Sequence, residues 1–231
     1  VKIPHLIFIA LLTIFTQLHA QETAARTCRI LFLDRPQDAP KTLHLFDGTS
    51  SQEVALPSMN LSPLYRLAPG AIQLKLLSEK AEDPKAAFPD APNVEIPADW
   101  NDFYLLVTSD TENKITPVKL KAINAEGENF KLGKTLWMNL SDKTIQAILG
   151  EHEILLEPDS SKIVDNPLSQ STPSSGYYNA SFTYQIQDDG KFEPITEQQW
   201  WHDANSRHLG FMLNSGGKLP KIYFLRDFRN E

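Results

Sequence analysis

The side chains able to do chemistry are few and scattered. Past the N-terminal stretch the histidines are His44, His152, His202 and His208, and none forms an H-x-H or H-x-x-x-H pair. A zinc site needs three or four converging nitrogen, oxygen or sulfur ligands. Only His202-Asp203 and His208 are spaced so that a turn could bring them together, and nothing in the spacing supplies further ligands. The run Asp188-Asp189-Gly190 is too short for a calcium loop and reads as a hairpin turn. No metal is therefore expected. The single cysteine, Cys28, lies in an apolar stretch beside Arg29 with no histidine near it in sequence. It reads as a small core hydrophobe, and a lone cysteine excludes a disulfide within the chain. There is no G-x-S-x-G elbow and no glycine-rich phosphate loop. The 29 Asp and Glu residues offer no pair that spacing alone could select for acid–base work. The sequence thus assigns no catalytic residue and no cofactor.

The one unusual local feature is Trp200-Trp201, with Gln198-Gln199 before it and His202-Asp203 after it. In an extended segment adjacent side chains point to opposite faces, so one indole faces the core and the other faces out. An outward indole among polar groups suits stacking on a sugar ring or anchoring a protein partner. Trp200 and Trp201 are therefore the candidate binding residues, with a protein or a glycan as the expected partner. The competing bland reading has one indole in the core and the other covering a loop.

The elements that would carry these residues are strands. Ile72, Leu74 and Leu76 alternate with Gln73 and Lys75, and Val118, Leu120 and Ala122 alternate with Lys119 and Lys121. The longest alternation runs from Tyr178 through Ala180, Phe182 and Tyr184 to Ile186 and predicts one buried and one wet face. Further strands are expected at 28–33, 42–46, 61–66, 103–108, 135–140, 145–149, 152–157, 207–214 and 221–226. Asp47-Gly48, Pro69-Gly70, Gly150 and Ser215-Gly216-Gly217 supply turn signals between them. No window of helical length shows a 3.6-residue stripe; Thr196–Asn205 alone is read as room for a short helical turn. No repeat of short period is visible. The fold class is all-β, an antiparallel sandwich of immunoglobulin-like type, in one body or two packed β units.

Two stretches interrupt the rhythm. Residues 80–102 carry Pro84, Pro89, Pro92 and Pro97 and read as a long loop. Residues 158–176 are rich in Ser and Pro and read as a linker or crossover. The expected organisation is a signal peptide at 1–20, an N-terminal β-sandwich at 21–157, the Ser/Pro segment at 158–176, and a C-terminal strand unit at 177–231. The signal peptide rests on Lys2, the short apolar run from Leu6 to Phe15, and the polar sequel after Ala20. It implies a periplasmic or secreted protein.

Composition narrows the partners. The net charge of −7 argues against nucleic acid and anionic membrane surfaces. No second long apolar run follows, so no transmembrane anchor is expected. Asp38-Ala39-Pro40, Asp47-Gly48, Leu61-Ser62-Pro63-Leu64-Tyr65 and Pro69-Gly70 follow one another between the strands of residues 28–77. This order resembles a bacterial secreted immunoglobulin-like domain of unknown function. The resemblance implies an extracytoplasmic β-sandwich and no known chemistry. Taken together, the sequence reads as an exported non-enzymatic protein with a binding or envelope-structural role. A carbohydrate-binding module using exposed aromatics is one alternative; a hydrolase on an unrecognised β scaffold is the other.

Overall fold

In a computed structural model, the described residues are 26–83, 88–126, 130–168, 174–186, 190–217 and 219–228. The expected signal peptide, 1–20, lies outside them. Among the described residues there is no helix, and sixteen strands form four sheets of four.

The first eight strands are β1 (Arg26–Phe32), β2 (Thr42–Phe46), β3 (Ser51–Ala55), β4 (Tyr65–Leu67), β5 (Ile72–Leu77), β6 (Asn93–Ile96), β7 (Asp102–Ser109) and β8 (Val118–Asn124). They build one sheet in the order β4-β1-β7-β8 and a second in the order β3-β2-β5-β6. The next eight are β9 (Thr135–Leu140), β10 (Ile145–Leu149), β11 (His152–Leu156), β12 (Ser161–Val164), β13 (Ser175–Gln185), β14 (Phe192–Asp203), β15 (Arg207–Leu213) and β16 (Lys221–Asp227). Their sheets run β12-β9-β15-β16 and β11-β10-β13-β14. Counted from its own first strand, the second unit repeats the first: 4-1-7-8 and 3-2-5-6. Each unit has a single parallel pair, and it is the same one, β1 with β7 and β9 with β15. All other pairs are antiparallel.

The units stack as four layers. Cys28, Ile30 and Phe32 of β1 pack with Leu43, Leu45, Leu74 and Leu76 to fill the first sandwich. Trp137 and Met212 pack with Ala147, Leu149, Ala180 and Phe182 to fill the second. The opposite faces of β1, β7, β9 and β15 meet each other through Leu31, Tyr104, Leu106, Leu136, Leu209 and Phe211. The two central sheets are therefore buried on both sides, which is why Ile30-Leu31-Phe32-Leu33 and Phe103 to Val107 are apolar without alternation. The outer sheets keep one largely wet face and the alternation that goes with it, except where Phe46 and Leu77 of the first unit pack under Ala91 and Phe88.

Sheet membership divides the chain between β8 and β9, not at 158–176. Residues 161–164 of that segment form β12, paired with β9, and Ser175 opens β13. Part of the segment, 169–173, lies outside the described residues. The Ser/Pro composition marks a crossing between the two sheets of one unit. The expected loop at 80–102 likewise contains β6, and 196–203 is strand rather than helical turn. Pro194 is accommodated because β14 is an edge strand, and the pairing slips beside it, between Phe182 and Thr183.

Candidate functional site

β13 and β14 form the longest hairpin of the chain, and alternation distributes its aromatics to two faces. Tyr178, Phe182 and Tyr184 are buried, while Thr183 and Gln185 are wetter, as the alternation predicts. Trp200 lies opposite Tyr178 and turns inward. Its ring stacks on Phe224 at 4.8 Å and on Trp137 at 5.5 Å. The stack continues from Phe224 to His208 at 5.3 Å and from His208 to His202 at 5.4 Å. Trp200 is thus a packing residue of the second sandwich. Gly210 lies beside Trp137 in the parallel pair, and a Cβ there would sit 2.1 Å from the indole. Only a residue without a side chain lets the large ring lie flat.

Trp201 turns the other way. It is 40% exposed and lies opposite Tyr177, which is 67% exposed. The two rings meet edge to face at 5.0 Å and 76°, a favoured aromatic geometry. Two residues further along the same face, the Gln199 amide donates to Asn179 Oδ1 at 3.1 Å. Sequence reasoning selected Trp201 and missed Tyr177. The signal was present: once Tyr178 is placed inward, its neighbour must point out.

Beside Tyr177 the surface dips into a depression of ≈ 340 Å³, lined also by Asn179, Gln199, Glu151, Pro167 and Leu168. Its wall is fixed. The Pro167 carbonyl passes so close to Gly150 that a Cβ would lie 1.9 Å from the oxygen, and Gly150 has φ +59°. Gly150 N–H donates to Asn179 O at 2.8 Å. The His152 ring bonds Asn166 O at 2.9 Å, and Leu168 N–H donates to Asn166 Oδ1 at 3.0 Å.

The histidine pair offers less. His202 and His208 are buried, and three of their ring nitrogens have no hydrogen-bond partner. Burial, then the charges of His202 and Arg226, push His208 down to about 4, and burial also lowers His202. The adjacent Asp203 is committed to Asn205 N–H, Ser206, Ser175 and Arg226. Among the described residues no three His, Cys, Asp or Glu side chains are grouped to hold a metal ion. Cys28 is fully buried, and burial pushes its thiol up to about 12, so it is unreactive at neutral pH.

Larger depressions lie elsewhere, among them one of ≈ 480 Å³ beside Leu77, Phe88 and Ile115. A second of ≈ 730 Å³ runs along the seam between the units past Trp100, Met138 and Ile163. Its apolar floor continues the packing between the central sheets. Another of ≈ 670 Å³ lies at the end of the second sandwich near Tyr184, whose hydroxyl donates to Glu193 at 2.8 Å. None of these presents an exposed aromatic pair. No helix among the described residues is long and apolar enough to cross a membrane. No protein-family model matches the chain, and no curated protein matches it.

Proposed function

We propose that this is an exported, non-enzymatic β-sandwich protein that binds an extracytoplasmic ligand on the outer face of the β11-β10-β13-β14 sheet. The observation that carries the reading is the exposed, edge-to-face Tyr177–Trp201 pair on that face. Leaving apolar ring surface in water forgoes about 25 cal/mol per Å² of stabilisation, and Tyr and Trp are enriched where partners are gripped. The duplication supports the same reading. Core pairs Leu45 with Leu76 and Ala147 with Phe182 match the two units. In that match Gly70 corresponds to Gly176, Ala71 to Tyr177 and Pro97 to Trp201. The fold is built once without these aromatics, so the second copy does not need them to fold.

Export is supported by the signal-peptide pattern of residues 1–20, and the immunoglobulin-like resemblance of residues 28–77 falls on β1 to β5 of the first unit. The location is periplasmic or secreted, and Trp200 serves the site only as the inward support of Trp201. Two measurements test the reading. N-terminal sequencing of chain recovered from an extracytoplasmic fraction should begin near Gln21; full-length chain in the cytosol would overturn export. A mixed array of glycans and purified envelope proteins should retain the wild type and lose Trp201→Ala. Equal retention of both would overturn the site.

A further inference from the structure

We propose that the depression lined by Tyr177, whose ring meets Trp201, is a subsite for a neutral pyranose residue of a glycan. The inference rests on the binding face just assigned and names what that face takes.

The ring geometry comes first. In an edge-to-face pair, the ring that offers its edge keeps both faces clear of its partner, and the other ring keeps one. Tyr177 and Trp201 therefore each retain a face free of the other. Tyr177 also lines the depression. A pyranose with equatorial substituents presents a flat patch of C–H groups that packs against an aromatic face. It also carries hydroxyls around its rim that must find partners when taken from water.

The amides supply those partners. The bond from Gln199 to Asn179 uses one amide hydrogen and one oxygen lone pair. Each side-chain amide has two donors and two acceptor lone pairs. The pair can thus give and accept at neighbouring points on one face, which suits adjacent sugar hydroxyls.

Charge narrows the class. Glu151 is the only charged side chain among the described residues lining the depression, and no Lys or Arg joins it. With a net charge of −7 on the chain, an acidic sugar would meet repulsion without compensation. The wall is also set in advance: Gly150 locks against Pro167, and Asn166 is tied to His152. A preformed wall spares a ligand the cost of ordering it. In the first unit Gln73 and Glu95 hold the positions of Asn179 and Gln199, without any ring beside them.

The test is a titration followed by proton–nitrogen NMR of the exported chain. The probes are cellohexaose, laminarihexaose, mannohexaose and chitohexaose, with hexagalacturonate as the anionic control. At least one neutral probe should shift Tyr177, Asn179, Gln199 and the Trp201 indole in a saturable way, and hexagalacturonate should shift none of them. Tyr177→Ala should weaken binding about tenfold or more with an unchanged melting temperature, and Tyr177→Phe should restore it. The inference is overturned if no neutral probe moves these resonances, or if hexagalacturonate moves them equally. If the sugars fail while Trp201→Ala still abolishes capture of a purified envelope protein on the array, the binding face stands and the glycan assignment falls. If neither class of ligand depends on Trp201, both fall.

Discussion

Arg29 of the first strand and Asp227 of the last are joined across the seam between the two units, Nη1 to Oδ1 at 2.7 Å. Asp227 is fully buried and also accepts from the Tyr104 hydroxyl at 2.5 Å. Arg207 stands 3.9 Å away and reaches on to Asp102. The first and last strands are thus tied by a fully buried carboxylate. Asp227→Asn should lower unfolding stability by about 3 kcal/mol, because it leaves the Arg29 charge uncompensated in a largely dry seam. Urea unfolding checks this; a loss below about 1 kcal/mol would show the seam holds without the pair.

Gly210→Ala should be costly although it adds one methyl group. The new Cβ would enter the Trp137 ring, and Trp137 is the hub of the aromatic stack. Overpacking of this kind costs about 1–3 kcal/mol. Near-ultraviolet circular dichroism should lose intensity together with the melting temperature. Gly216→Ala, where a Cβ meets nothing, is the control and should melt within about 0.5 kcal/mol of wild type.

His208 gives stability a pH dependence of definite sign. Its imidazole is buried neutral, with a value of about 4 against an ordinary 6.5. Between those values the unfolded chain takes up a proton that the folded chain does not. Stability from this group is complete above about pH 6.5 and is lost as pH falls toward about 4, by roughly 3 kcal/mol at most. His202 and Arg226 act in the same direction on His208, and Asp203 opposes them. Urea midpoints for wild type and His208→Gln, compared across that interval, check the sign. The variant should be less stable at neutral pH and should decline less on acidification.

The adjacent tryptophans should behave oppositely. Trp200→Ala removes the centre of a stack with Trp137 and Phe224 and should cost roughly 3–5 kcal/mol. Trp201→Ala removes one ring of an exposed pair and should cost under about 1 kcal/mol. Paired thermal melts decide it, and equal losses would contradict the opposed facing.

The strands that alternation missed share a position. β3, β6, β12 and β14 all lie at sheet edges. An edge strand is hydrogen-bonded on one side, so it tolerates polar side chains and proline that an interior strand would not. β3 buries only Val54 and β12 only Val164; one inward apolar residue is too little for a period of two. The same weakness displaced the domain division, since β12 was hidden within 158–176. The duplication was invisible for a related reason. It is conserved as pairing order and as inward or outward facing, while the residues differ: Ala71 and Pro97 in one unit, Tyr177 and Trp201 in the other. Of the candidate site, Trp201 was legible from its polar neighbours. Tyr177 was legible only through the facing of Tyr178. The wall at Gly150, Pro167 and Asn166 is a long-range approach that no local pattern reports.

The most direct test of the account compares three chains on one mixed array of glycans and envelope proteins: wild type, the double variant Tyr177→Ala/Trp201→Ala, and Gln73→Ala on the corresponding face of the first unit. All three should melt alike. The account predicts that wild type and Gln73→Ala retain the same ligand and that the double variant loses it. Retention by the double variant, or equal loss by Gln73→Ala, would contradict it.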